Sequence, residues 1–451
     1  MIEEKQFTLA TSAKKTMTDV FLLSIDAVRG DCFTDAYFSK CWSDYFEDFV
    51  LFDNAYSNGV ATPLAFPSIH TGYPVVDDGT LPGDVPTVAE CYDGYTFAIT
   101  NNPQLRSDRG YDRGFDSFSR VATSGQSSST GVVHRFKSVA KQSQTIWDLY
   151  DRFWRIVWRT TPIDPDLSPQ YFRTAACVLS VLKSSLKNEP GFYWVHLMDP
   201  HHPYYPHKIT DREVEVEYTD SDVWQMNRRV RGPGLRSMGL DNDDADLPPP
   251  SEAEIEFCRS MYDEILRYID RMLCDFFDHL KTTDRWDESM IVVLSDHGEA
   301  FGEKGVFQHD WTANPIDELV RVPLAVKYPE NSDAGEVYTH PVQTGDLFAT
   351  LVDVLDWDRS TPPHTRPFSD PGSRPILSKS NNALRVTTEQ GYAIQRGDSI
   401  VEQVGDPDAE AVAILRESSL PRVDSLSGEV PGLSERARQD LEDRLEHLGY
   451  R

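Results

Sequence analysis

Six short apolar runs punctuate the chain. They read DVFLLSI (19–25), DFVLF (48–52), GYTFAIT (94–100), GFYWVHLM (191–198), SMIVVLS (289–295) and VPLAVKY (322–328). Each is rich in β-branched or aromatic residues and apolar at consecutive positions, the pattern of a strand covered on both faces. Between them, 171–187 and 253–280 place apolar side chains at helical spacing, the second through Phe257, Met261, Ile265, Tyr268, Ile269, Met272 and Phe276. Strands alternating with helices predict an α/β fold, a three-layer α/β/α sandwich around a mostly parallel central sheet. The acidic, Pro-rich run 241–254 reads as an exposed connector. Prolines crowd 359–374 and set a boundary there. The expected organisation is an N-terminal extension over 1–17, a main domain over 18–358 and a small C-terminal α+β subdomain over 359–451. That last unit is expected to carry strands around 384–401 and a closing helix, with Leu441, Leu445 and Leu448 on one face before Gly449.

Open α/β sheets bind ligands outside the carboxyl ends of their strands, so the residues that follow each run carry the chemistry. The first run ends in Asp26, and the run at 289–295 in Asp296-His297-Gly298-Glu299. The run at 191–198 leads into Asp199-Pro200-His201-His202-Pro203-Tyr204. Asp26, Asp296 and His297 together offer two carboxylates and an imidazole for a divalent metal. Mixed oxygen and nitrogen donors suit Zn²⁺ or Mn²⁺, whereas Mg²⁺ and Ca²⁺ prefer oxygen alone. His309, beyond the loop GEAFGEKGVFQ, reads as a further ligand or a contact for an anionic substrate. Thr62-Pro63 has the form of a helix N-cap with proline at the first helical position. A hydroxyl there faces the positive end of the helix dipole, and metal coordination would make it a usable nucleophile. The same threonine also reads as a plain helix cap.

Composition narrows the classes. With 39% apolar and 11% aromatic residues the chain has the bulk for a core, which excludes wholesale disorder. A formal charge of −29 and a pI near 4.7 exclude nucleic acid as the main partner. The acidic residues are spread along the chain and Arg outnumbers Lys, a composition expected of a halophile's solvated surface. Six scattered cysteines with no CxxC pair read as reduced and mostly buried. No window reaches the ~18 apolar residues of a membrane span, and the first residues lack the apolar stretch of a secretory signal. The expectation is a soluble, cytoplasmic protein.

Taken in order, these segments resemble the sulfatase branch of the alkaline phosphatase superfamily. The similarity runs through VFLLSIDAVRGD, FDNAYSNGVATP…SIHTG, GYDRGFDSF, WVHLMDPHHPY, YDEILRYIDRML and VVLSDHGEAFGEKG…H…RVPL, across most of 18–355. The resemblance implies that Asp26, Asp296 and His297 bind a metal, with Thr62 as a fourth ligand. It implies that His201, in the pattern HHP, and His309 contact substrate. It also places Thr62 as the nucleophile, nine positions before Thr71-Gly72. The formylglycine motif of sulfatases proper, C/S-x-P-x-R, is absent: the chain has Thr62-Pro63-Leu64-Ala65-Phe66. Asp26-Ala27 also lacks the second acid of those enzymes. The function expected is a metal-dependent hydrolase or transferase of phosphate or sulfate esters, small-molecule or glycan. The rivals are a sulfatase that dispenses with formylglycine and a non-catalytic relative that binds sulfated or phosphorylated glycans.

Overall fold

The computed structural model describes residues 18–73, 79–120, 174–204, 220–239, 247–362, 365–370, 372 and 374–417. All six apolar runs form strands of one sheet. In chain order these are β1 (Val20–Ile25), β2 (Val50–Phe52), β4 (Tyr95–Thr100), β6 (Gly191–Leu197), β7 (Met290–Ser295) and β8 (Leu324–Lys327). A short β3 (Ala55–Tyr56) lies apart with β10 (Val342–Gln343), while β5 (Ser117–Arg120) and β9 (Val337–Tyr338) complete the large sheet. Its order is β5-β4-β6-β1-β7-β8-β2-β9. The five strands from β5 to β7 are mutually parallel, so their carboxyl ends share one edge. The sheet departs from parallel only at β8, which runs antiparallel to both β7 and β2.

Consecutive apolar positions in β1 serve opposite faces. Phe21, Leu23 and Ile25 pack into one layer with α2 (Ala175–Ser185) and the long α4 (Glu252–Thr282), through Leu179, Leu182, Ile265 and Ile269. Val20 and Leu22 pack into the other, against Phe66 and Ile69 of α1 (Thr62–Thr71) and Leu347 and Leu351 of α5 (Asp346–Val354). Two apolar layers around one sheet give the expected α/β/α sandwich.

The connector before α4 ends sooner than its composition suggests. Ser251 caps the helix in a reciprocal capping box with Glu254, so the last acidic residues already belong to α4. Upstream, 220–237 forms α3 (Asp220–Ser237), a helix whose Gly and internal Pro233 hide it from propensity arguments. Beyond α5, β11 (Ile376–Lys379), β12 (Ala383–Thr388), β13 (Gly391–Arg396) and β14 (Ser399–Gly405) form a separate antiparallel sheet, followed by α6 (Ala409–Glu417). The closing helix expected near 441–449 and the extension over 1–17 lie outside the described residues. The antiparallel sheet is stitched to the strand of chain that leads into α1. Lys379 N–H donates to the Asn58 carbonyl at 2.9 Å, Val60 N–H to the Lys379 carbonyl at 3.0 Å, and Ser378 Oγ to the Ser57 carbonyl at 2.6 Å.

All six cysteines are free thiols, and five of them are buried. Among the described residues no helix is long and apolar enough to cross a membrane.

Candidate active site

Four parallel strands deliver side chains to the shared edge: β1 gives Asp26, β7 gives Asp296 and His297, β6 leads to His201, and β4 leads to Asn102. Asp26, Asp296 and His297 are completely buried, and each offers a ligand atom within 4.8 Å of the others. The turn after β7 is tight. Gly298 N–H donates to the Leu319 carbonyl at 2.8 Å, and a Cβ at Gly298 would collide with the Glu318 carbonyl. Asp296 Oδ1 accepts from the backbone N–H groups of His297 (3.0 Å) and Ala27 (3.3 Å). His297 Nδ1 lies 2.8 Å from the Gly298 carbonyl, which can only accept; Nδ1 therefore carries the proton and Nε2 the lone pair. That lone pair is 3.6 Å from both Asp26 Oδ1 and Asp296 Oδ2. Those two carboxylate oxygens are buried with no hydrogen-bond partner.

Orphaned carboxylate oxygens beside an imidazole nitrogen form a donor set that a divalent cation would satisfy. The charges agree. Burial alone would raise Asp26, yet the histidines around it, His201 foremost, hold it well below the usual carboxylate range. Asp296 is pushed up by burial and by the charge of Asp26, against the pull of His297. Opposite shifts mark two acids sharing one space, and a divalent cation between them would let both ionise. The donor set of two oxygens and one nitrogen fits such an ion.

Thr62 departs from its expected place by one position. Ala61 takes the N-cap position, Thr62 is the first helical residue and Pro63 the second. The hydroxyl therefore does not cap its helix. It sits 3.3 Å from both Asp26 Oδ2 and His297 Nε2, and accepts from Asn102 Nδ2 at 3.2 Å. Asn102 Nδ2 also donates to Asp26 Oδ2 at 3.1 Å. Sequence reasoning did not single out Asn102, although it follows β4 as Asp26 follows β1.

His201 and His309 join the group. The His309 ring stands between those of His201 and His297, with centroids 4.8 and 4.7 Å away. Burial pulls His201 down to about 4, and its Nδ1 donates to the His202 carbonyl at 2.6 Å. Burial acts on His309 in the same direction, but the buried Glu299 carboxylate, 3.3 Å from His309 Nδ1, outweighs it and lifts His309 to about 9. The site thus pairs a neutral imidazole with a cationic one. Asp199 turns away: its Oδ1 accepts from Ala175 N–H at 3.0 Å, at the start of α2.

A family model described as sulfatase matches residues 37–357. The chain belongs to the sulfatase family. Its members typically use a divalent metal, and this chain offers the ligand group just described. A choline-sulfatase of Rhizobium meliloti is 26% identical over 166 residues, 37% of this chain and 31% of that protein. The chain therefore matches about a third of that sulfatase's length. The phosphonate monoester hydrolase of Agrobacterium radiobacter shares the fold, with a TM-score of 0.58 at 16% identity, covering 95% of this chain and 96% of that one. Another protein of the same fold, solved in complex with its substrate D-glucosamine-2-N,6-O-disulfate, has a TM-score of 0.53 at 14% identity, with 96% and 98% coverage.

Proposed function

We propose that this sulfatase-family protein is a metal-dependent hydrolase or transferase of phosphate or sulfate esters, with Thr62 Oγ as its nucleophile and phosphoryl esters preferred. The observation that carries this is the direction of one hydroxyl. A threonine in the first turn of α1 turns its hydroxyl away from its own helix, toward Asp26 Oδ2 and His297 Nε2, and so stands beside the two orphaned carboxylate oxygens.

Asp26, Asp296, His297 and Thr62 would hold the divalent cation, whose charge would favour the ionised hydroxyl and offset that of the ester oxygens. Thr62 Oγ–H donates to Asp26 Oδ2 and Asn102 Nδ2 orients Thr62 Oγ by donating to it; with the cation bound, the hydroxyl would release its proton to solvent. The Thr62 Oγ–P bond forms as the bond from phosphorus to the leaving oxygen breaks, and that oxygen takes its proton from the His309 imidazolium, which solvent reprotonates. His309, kept cationic by Glu299, faces the negative ester. His201, neutral with its proton on Nδ1, presents Nε2 as a proton acceptor for the water or alcohol that releases the phosphoryl group from Thr62. Threonine cannot yield formylglycine, and Phe66 stands where that motif carries arginine. Both facts favour phosphoryl over sulfuryl chemistry.

The test is a panel of phosphomonoesters, phosphodiesters and sulfate esters, with intact-mass analysis of quenched reactions. Phosphoryl turnover, an adduct on the Thr62 peptide and its loss in Thr62→Ala are expected. Turnover of sulfate esters alone would turn the reading to a sulfatase without formylglycine, and full activity in Thr62→Ala would remove Thr62 from its role.

A further inference from the structure

Behind the site runs a line of polar contacts that no reacting atom touches. Trp194 and His196 are two residues apart on β6, hence on one face of the sheet, and Ser24 of β1 is the register partner of His196. Trp194 Nε1–H donates to Ser24 Oγ at 3.0 Å, and the single Ser24 hydroxyl proton is shared between two acceptors, the Val195 carbonyl at 2.9 Å and His196 Nδ1. The same Oγ lies 3.1 Å from His196 Nδ1. His196 Nε2 lies 3.1 Å from Asp26 Oδ2. A carboxylate oxygen only accepts, so Nε2 carries the proton there. Trp194, Ser24, His196 and Asp26 are all completely buried.

The two oxygens of Asp26 are consequently unequal. Oδ2 takes hydrogen bonds from His196, Asn102 and Thr62, while Oδ1 takes none and faces Asp296 Oδ2 and His297 Nε2. Buried polar groups are costly unless satisfied, and these three satisfy one another across two neighbouring strands. This row ends on the one carboxylate whose rotation would decide which oxygen meets the cation. We infer that Trp194, Ser24 and His196 form a positioning relay that locks Asp26 with Oδ2 inside the protein and Oδ1 toward the metal. Outer hydrogen bonds that fix a ligand typically govern metal affinity by about 10- to 100-fold. The inference rests on the proposed metal site.

Calorimetric titration of the chelator-stripped full chain with Mn²⁺ and Zn²⁺ tests it, with melting of the metal-free proteins as the control. His196→Leu and Ser24→Ala should each weaken binding by about 10- to 100-fold. His196→Gln, whose amide N–H reaches Oδ2, should recover most of that affinity, a rescue that a purely structural role would not produce. Should His196→Leu fail to fold, Ser24→Ala and His196→Gln decide. Wild-type affinity in Ser24→Ala and His196→Leu, beside a wild type that binds, overturns the relay alone. A wild type that binds neither cation overturns the metal site itself and the relay with it.

Discussion

Single residues at the sheet edge were legible in proportion to how much charge they carry. Asp26, Asp296 and His297 stand directly after apolar runs, where an acid has no packing reason to be, and all three reach the site. Asn102 obeys the same placement, but a neutral amide looks no different in sequence from Asn101 beside it. His196 lies within an apolar run, where spacing predicts core and nothing more. Asp199 shows the converse: it ends a strand in sequence, yet its half-buried side chain holds the first turn of α2. Its Oδ2 is enclosed without a partner, and burial pushes the carboxyl up to about 7 from an ordinary 3.8. A raised folded pKa means that the fold prefers the protonated acid. The group favours folding at low pH and becomes a growing penalty as pH rises through the interval from 3.8 to about 7. Asp199→Asn keeps an acceptor for Ala175 N–H and cannot ionise. It should therefore melt several degrees above the parent at ~pH 8, with the gain gone near ~pH 4. A gain independent of pH would mean that Asp199 does not titrate in this range.

At the scale of elements, the six strands and the helices α2 and α4 followed from the apolar pattern, because tertiary burial and local pattern agree there. The exceptions have local causes. Glycines and an internal proline masked α3, and a cap shifted by one residue freed the Thr62 hydroxyl. α1 stops at Gly72, whose φ of 75° and N–H bond to the Ser68 carbonyl at 2.7 Å close the helix. That last turn holds an oddity. His70 is buried among Phe66, Tyr111, Phe115 and Trp194, with its ring 4.3 Å from that of Trp194. Neither ring nitrogen has a hydrogen-bond partner, and burial pulls the imidazole down to about 3. Enclosing unsatisfied polar atoms costs about 1–3 kcal/mol, and Leu is close to His in volume with a better helix propensity. His70→Leu is expected to raise unfolding free energy by ~1 kcal/mol at neutral pH, as read from denaturant midpoints. The difference should widen as pH falls from 6.5 toward about 3, since His70 stays neutral in the fold and protonates when unfolded. A less stable variant would show that the imidazole has a polar role in place.

The molecule as a whole sets one further condition. The site draws on residues from Asp26 to His309, carried by four parallel strands, the start of α1 and the loop beyond β7, so no fragment of the fold can hold it. Its integrity therefore follows global stability, and global stability works against a net charge of −29. At low ionic strength the Debye length is ~30 Å, comparable to the domain, and acidic groups across the whole surface repel one another. At molar salt it falls to ~3 Å, and only neighbouring charges still interact. Melting midpoints followed from dilute buffer to multimolar KCl should climb steeply over the first molar and continue upward as salt strengthens apolar burial. Ester turnover should vanish and return with the folded fraction, reversibly, because salt acts here on the scaffold and not on the reacting groups. A midpoint that is high and flat in dilute buffer would reject the halophilic surface while leaving the proposal for Thr62 untouched. Turnover lost at low salt in a chain still fully folded would instead locate the salt requirement in the site.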